Sequence, residues 1–154
     1  QFGTSAEDTL SNLIAWSIWL TDFLTKFWAE RNLVEPIKLI GDFLKLQLST
    51  NSGAAFSLRI NSIVLTIFAI VTSAVIAYWS PRITSKPWAI TFGLVLGGAL
   101  GNLTDRVTKG EVTDWISIRY WPTFNLADSA IVIAAGIAIY LTARNVPPVS
   151  RFRS

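Results

Sequence analysis

Residues 61–79, NSIVLTIFAIVTSAVIAYW, run for 19 positions without a charged side chain. A stretch of about 20 apolar residues is what a helix needs to cross a bilayer, where every backbone N–H and C=O must be satisfied within the segment itself. Three further runs have the same character. PWAITFGLVLGGALGNLT, 87–104, has no charge over 18 residues, and NLADSAIVIAAGIAIYLTA, 125–143, has Asp128 alone. LSNLIAWSIWLTDFLTKFW, 10–28, is interrupted by Asp22 and Lys26. In 154 residues that are 51% apolar and 15% charged, four such runs leave too little polar surface to cover them as soluble core helices. The expectation is four transmembrane helices.

Charge distribution gives an orientation. The loop SPRITSK (80–86) carries Arg82 and Lys86 and no acid; the tail carries Arg144, Arg151 and Arg153, again without an acid. By the positive-inside rule both face the cytoplasm, with both termini. The two longer segments on the other side mix Arg31, Lys38, Lys45, Arg59, Arg106, Lys109 and Arg119 with acids. A net charge of +3 without a basic tract interleaved with aromatics gives no reason to expect nucleic acid as a partner.

The outer segments are patterned. Leu44, Leu46 and Leu48 alternate with Lys45, Gln47 and Ser49, and Val112, Asp114, Ile116 and Ile118 share one face of EVTDWISI, 111–118. Period two predicts two strands of a small sheet at the membrane surface, where Trp115, Tyr120 and Trp121 suit the interfacial belt. NSGAAFS, 51–57, reads as a turn. Gly93, Gly97 and Gly101 recur at spacing four, as do Ala130, Ala134 and Ala138. Such small-residue faces let membrane helices approach closely and predict that spans three and four bring their outer ends together.

The chain contains no Cys and no His. That excludes a Cys–His nucleophile, a Ser–His–Asp triad and an HExxH zinc site, and nothing in the pattern implies a metal or cofactor. Three carboxylates cluster near the outer ends of spans three and four: Asp105, Asp114 and Asp128. Two carboxyl groups sharing a proton can act as base on a water and acid toward a carbonyl or leaving amine. Each also has a structural reading. Asp105 can pair with the adjacent Arg106 or order a loop. Asp128, three residues after a candidate N-cap at Asn125, can complement the helix dipole. Spacing leaves both Asp105 and Asp114 open as the partner of Asp128. Asp22 and Lys26, four apart, can pair along one helix face. Lys26 with Ser52 or Ser57 is the one nucleophilic arrangement the composition permits. A non-catalytic transporter or lipid-binding scaffold is the rival from another class, though the broken helices or repeats that transporters tend to show are not apparent.

DFLTK (22–26), NSGAAFS (51–57), GGALGNLTDR (97–106), EVTDW (111–115) and FNLADS (124–129), in this order with four spans, resemble lipoprotein signal peptidase (signal peptidase II). This is a family of bacterial membrane aspartic proteases that process prolipoproteins. The resemblance implies that Asp114 and Asp128 form the catalytic pair. It makes Asp22, Lys26, Asn51, Gly53, Asn102, Asp105, Arg106, Asn125 and Ala127 substrate-binding or supporting residues. Phe23 stands where the family usually has Gln, and Trp115 where it usually has Phe.

The fold implied is a membrane all-α bundle of four transmembrane helices with a small periplasmic β-cradle and a short periplasmic helix. Residues 10–154 would form a single integral-membrane peptidase domain and 1–9 an appended or flexible segment. The expected substrate is a diacylglyceryl prolipoprotein cleaved just before its lipidated cysteine, at the outer face of the bacterial inner membrane. Membrane lipid and cyclic-peptide inhibitors of the globomycin type would be partners, and the protein a monomer without cofactor.

Overall fold

The structure, a computed structural model, describes residues 5–51, 54–55, 58–59 and 62–150. Gly53, Ser52, Ser57, Arg151 and Arg153 lie outside the described residues. The elements follow the order α1 (Ala6–Asn32), β1 (Ile37–Ile40), β2 (Leu44–Asn51), β3 (Ala54–Ala55), β4 (Leu58–Arg59), α2 (Ser62–Trp79), α3 (Lys86–Lys109), β5 (Val112–Ile118) and α4 (Leu126–Ala143). A 3-10 turn, Ser80–Arg82, follows α2. Two of the helical stretches, Ile63–Arg82 and Leu126–Ala143, are long and apolar enough to cross a membrane.

Local chemistry sets the helix ends. Ser5 caps α1 by accepting the Asp8 N–H, with Glu7 and Asp8 in the first turn favouring the positive helix start. The helix therefore begins at Ala6, inside the segment that sequence alone set aside. Asp8 is buried there, accepting the Ser80 hydroxyl at 3.0 Å. Pro87 sits in the first turn of α3, where its missing N–H costs nothing. Gly110 ends α3 at φ +77°, a left-handed cap that glycine adopts without a Cβ penalty.

The outer ends of α3 and α4 come together as expected, Asn102 meeting Asp128 at 2.8 Å, but the glycine stripe of α3 lies chiefly against α1. A Cβ on Gly93 would lie 2.7 Å from the Ser11 carbonyl, and one on Gly97 2.7 Å from the Ala15 carbonyl. The closest approach to α4 is at Gly98, whose Cβ would fall 2.6 Å from the Ala127 carbonyl, with Gly101 of the stripe 3.2 Å from Ala127 Cβ. Gly98 lies off the four-residue stripe, which is why spacing did not single it out. Ala130 and Ala134 are buried, Ala138 only partly.

The predicted strands form as β2 and β5, which pair antiparallel with Leu46 opposite Ile116, Ser49 opposite Asp114 and Asn51 opposite Val112. β1 adds a third strand in the order β1-β2-β5. Its four residues are all exposed, so no alternation betrays it in the sequence. Where a turn was read, β3 and β4 pair antiparallel, with Ala54 opposite Arg59 and Ala55 opposite Leu58.

The return from β5 to α4 positions the site. The chain turns at Tyr120, held at φ +66°, and Phe124 bridges back to Ile116. The Phe124 carbonyl accepts from both Trp115 and Ile116 N–H at 3.0 Å. Asn125 and the first turn of α4 are thereby laid beside Asp114.

Candidate functional site: an acid–amide cluster joining four elements

Asn125, 0% exposed, is the hub. Its Oδ1 accepts the Asp128 backbone N–H at 2.8 Å, while its own N–H donates to Asp128 Oδ2 at 3.2 Å, a reciprocal capping box. With Oδ1 engaged by a donor, Nδ2 must face the other way. It donates to Asp114 Oδ1 at 2.9 Å, Asn102 Oδ1 at 3.0 Å and the Thr113 carbonyl at 3.2 Å. One amide thus ties Asp114 on β5 to Asp128 on α4. Asn102, on α3, completes the link by donating from Nδ2 to Asp128 Oδ1 at 2.8 Å. Asp128 therefore has an N–H on each oxygen, and its place in the first turn of α4 complements the helix dipole.

Asp114 is 1% exposed, whereas Asp128 is half-buried. Arg106 lies within the field of both, and of Asp105. Burial lowers the guanidinium from its ordinary value against the pull of those three acids, though it stays cationic. Its Nε is buried and has no hydrogen-bond partner among the described residues.

Behind this layer lies an ionic one. Lys26 pairs with Asp22 at 2.7 Å, as the four-residue spacing predicted, and with Asp105 at 3.2 Å. Asp22 also accepts the Ala127 N–H at 2.9 Å, satisfying an orphan donor of the first turn of α4. Asp105 does not join the adjacent Arg106 in an ion pair. Neighbours in a helix point about 100° apart, so Asp105 meets Lys26 across the interface and Lys109 one turn on, at 3.5 Å. Its loop-ordering role is present, since Oδ2 accepts the Thr113 N–H at 3.0 Å.

Three contributors escaped sequence reasoning. Glu30 binds Lys109 and accepts the Thr113 hydroxyl at 2.7 Å, clasping α1 to β5 one residue before Asp114. Burial of Glu30 opposes its charge, but donation from Lys109 and Thr113 outweighs it and holds the carboxyl below its usual range. Lys109 responds in kind: burial would lower it, yet Glu30 and Asp105 raise it. Thr113 occupies the register position that alternation assigns outward, yet it is buried, bonded to Glu30 of α1 and to Asp105 and Lys109 of α3.

Of the residues singled out in sequence, Asp22, Lys26, Asn102, Asp105, Asn125, Ala127, Asp114 and Asp128 are joined in one hydrogen-bonded network. Asn51 ends β2 opposite Val112, two residues from Asp114. Among the described residues no cluster of His, Cys, Asp and Glu could hold a metal ion.

Helices apolar outside and polar within, gathered on a buried acid–amide cluster, define a membrane protein with a polar interior. Two solved bacterial membrane enzymes share the fold. One aligns at TM-score 0.79 with 25% identity over 94% of this chain and 93% of that one; the other at 0.78 with 27% identity over 88% and 93%. The profile of Signal peptidase (SPase) II matches residues 14–144. Proteins named lipoprotein signal peptidase are similar along the sequence: 41% identical in Rhodococcus jostii over 88% of this chain, 43% in Streptomyces coelicolor over 74%, and 41% in Pseudomonas aeruginosa over 77%. The chain spans 73%, 59% and 78% of those proteins respectively. It belongs to the signal peptidase II family and is a membrane peptidase.

Proposed function

We propose that this chain removes the signal peptide from diacylglyceryl-modified prolipoproteins, cutting just before the lipidated cysteine with a water activated by Asp114 and Asp128. The observation that carries this reading is the Asn125 bridge. It brings together, in a chain of this family, two carboxyl groups 14 positions apart, each with a fixed N–H donor. Asp128, at the start of an apolar helix, acts as base on the water. The hydroxyl adds to the scissile carbonyl carbon, and Asp114 supplies a proton to the carbonyl oxygen. Collapse of the tetrahedral species then breaks the C–N bond: the proton taken up by Asp128 passes to the leaving amine, and Asp114 takes back a proton from one of the two hydroxyls as the carbonyl re-forms. Arg106 adds positive charge beside the pair where oxyanion charge develops.

All four helices span the membrane in this reading. α1 has 27 residues and α3 24, about 40 and 36 Å at the helical rise, ample for a hydrocarbon core of about 30 Å. The charges of α1 that break its hydropathy, Asp22 and Lys26, are buried, while Trp16, Leu20, Phe23, Leu24 and Phe27 are exposed on it. Lipid contact explains that inversion. Arg82, Lys86 and Arg144 at the opposite end from the cluster favour cytoplasmic termini. The acid cluster then faces the outside of the inner membrane, beneath the sheet, within residues 10–154 as one peptidase domain. The enzyme works as a monomer without metal or cofactor, and cyclic peptides of the globomycin type compete for the site.

The test is incubation of purified protein in detergent with a prolipoprotein, diacylglyceryl-modified or not, followed by mass spectrometry. A product beginning at the modified cysteine, from the modified form alone, is expected. Saturable binding without turnover would instead favour a lipid-binding scaffold or transporter.

A further inference from the structure

Lys26 is buried, and an ammonium has three N–H donors and no acceptor. Its near neighbours are Asp22 Oδ2 at 2.7 Å, Asp105 Oδ2 at 3.2 Å, Asn102 Oδ1 at 3.2 Å and the Gly101 carbonyl at 3.4 Å. The two acids explain its charge. They do not explain the contact with Asn102. An amide has one accepting and one donating end, and only the accepting end can face an ammonium. With Oδ1 turned to Lys26, Nδ2 is turned to Asp128 Oδ1. The other group at Asn102 Oδ1 is Asn125 Nδ2, whose own orientation is fixed by the Asp128 backbone N–H. A flipped Asn102 would set N–H groups against two donors and its oxygen against a carboxylate.

We infer that Lys26 is a positioning residue: through the Asn102 amide it fixes an N–H donor on Asp128, which keeps that carboxylate the proton acceptor of the pair. This rests on the aspartate-pair reading above. The relay runs from α1 to α4 across α3. The charged groups around it are Asp22 and Lys26 from α1, Asp105 and Arg106 from α3, and Asp114 from β5, with Glu30 and Lys109 behind Asp105.

Two double variants separate orientation from charge. Asp22→Asn/Lys26→Met removes the ion pair together, leaves Asp105 with Lys109 and the Thr113 N–H, and removes the donor to Asn102. Asp22→Asn/Lys26→Gln has the same charge but keeps an N–H donor. Each is made also in an Asn102→Ala background. Two readouts follow: the acid limb of the cleavage rate against pH, and the 13C carboxyl titration of Asp128 in detergent, assigned by its loss in Asp128→Asn. The second needs no turnover.

In the Met variant both readouts move to higher pH by about one unit, the usual scale for losing a hydrogen bond to a carboxylate. In the Gln variant they stay near wild type, and in the Asn102→Ala background neither pair shifts them further. Equal shifts in the Met and Gln variants would mean that charge acts through space. A shift that survives Asn102→Ala, or no shift at all, would equally overturn the relay. If the Met variant does not fold, the Gln variant and Asn102→Ala decide: Asn102→Ala must itself raise the titration, and an unmoved value refutes the role of the amide. A wild-type protein that fails to cleave refutes the peptidase reading while the titration still reports on the relay.

Discussion

Gly101→Ala drives a methyl group into the one place where the ionic layer touches the α3 backbone. The new Cβ would lie 2.5 Å from Asp22 Oδ2, 3.1 Å from Asp22 Cγ and 3.2 Å from Ala127 Cβ. Asp22 has no easy retreat, because Oδ2 is held by Lys26 and Oδ1 by the Ala127 N–H. Moving α3 away instead would open the contacts of Gly93 and Gly97 with α1. Overpacking typically costs about 1–3 kcal/mol, and weakening a charge-assisted hydrogen bond costs about 1.5–3 kcal/mol more. Alanine's better helix propensity returns about 1 kcal/mol. A net loss of about 1.5–5 kcal/mol is expected once these terms are combined. Gly136→Ala is the internal control: nothing lies within 4 Å of its new Cβ, so only the propensity gain applies. Unfolding by SDS in mixed micelles, followed by tryptophan fluorescence, reads both variants. Unfolding of Gly101→Ala at the same SDS fraction as Gly136→Ala would refute the close approach and the rigidity assigned to Asp22.

Asn125→Ser keeps an oxygen able to cap α4 but loses the Nδ2 donor to buried acceptors, so stability should fall by about 1–3 kcal/mol while cleavage falls by about 100-fold or more. Equal activity in Asn125→Ser and wild type would remove the bridge from the mechanism. Glu30→Gln should lower stability at pH 7 by about 0.3–1 kcal/mol, the modest value proper to a half-exposed pair. The sign follows from the two shifts. Glu30, held low, contributes above its ordinary value and loses that contribution as pH falls through the lowered one. Lys109, held high, contributes below its ordinary value and loses it as pH rises through the raised one. The difference from wild type should therefore narrow as pH falls from the ordinary carboxylate range through the lowered value, and a constant difference across the acid range would contradict the clasp.

Much of this arrangement was legible because membrane burial writes itself in long uncharged runs, and because period two marks β2 and β5. The i, i+4 pair Asp22–Lys26 and the Asn125 cap follow from local spacing and appear as expected. What stayed hidden depends on contacts between distant segments. β1 is exposed throughout and has no pattern to find. Thr113 and Glu30 are 83 positions apart, and nothing local marks either as buried or paired. The choice between Asp105 and Asp114 beside Asp128 belongs to the same class. In space Asp105 turns to Lys26 and Lys109, whereas Asp114 turns to Asn125, because the Phe124 return lays the start of α4 on β5. Spacing contains no trace of that return.

The central claim is that Asp114 and Asp128 together carry the chemistry. The direct test compares wild type with Asp105→Asn, Asp114→Asn and Asp128→Asn in cleavage of a diacylglyceryl-modified prolipoprotein. Asn keeps the size and polarity of the side chain but cannot shuttle the proton. The account predicts that Asp114→Asn and Asp128→Asn each abolish cleavage while folding and substrate binding persist, with Asp105→Asn retaining measurable turnover. Cleavage that survives Asp114→Asn and Asp128→Asn would make the two carboxylates structural and contradict the mechanism.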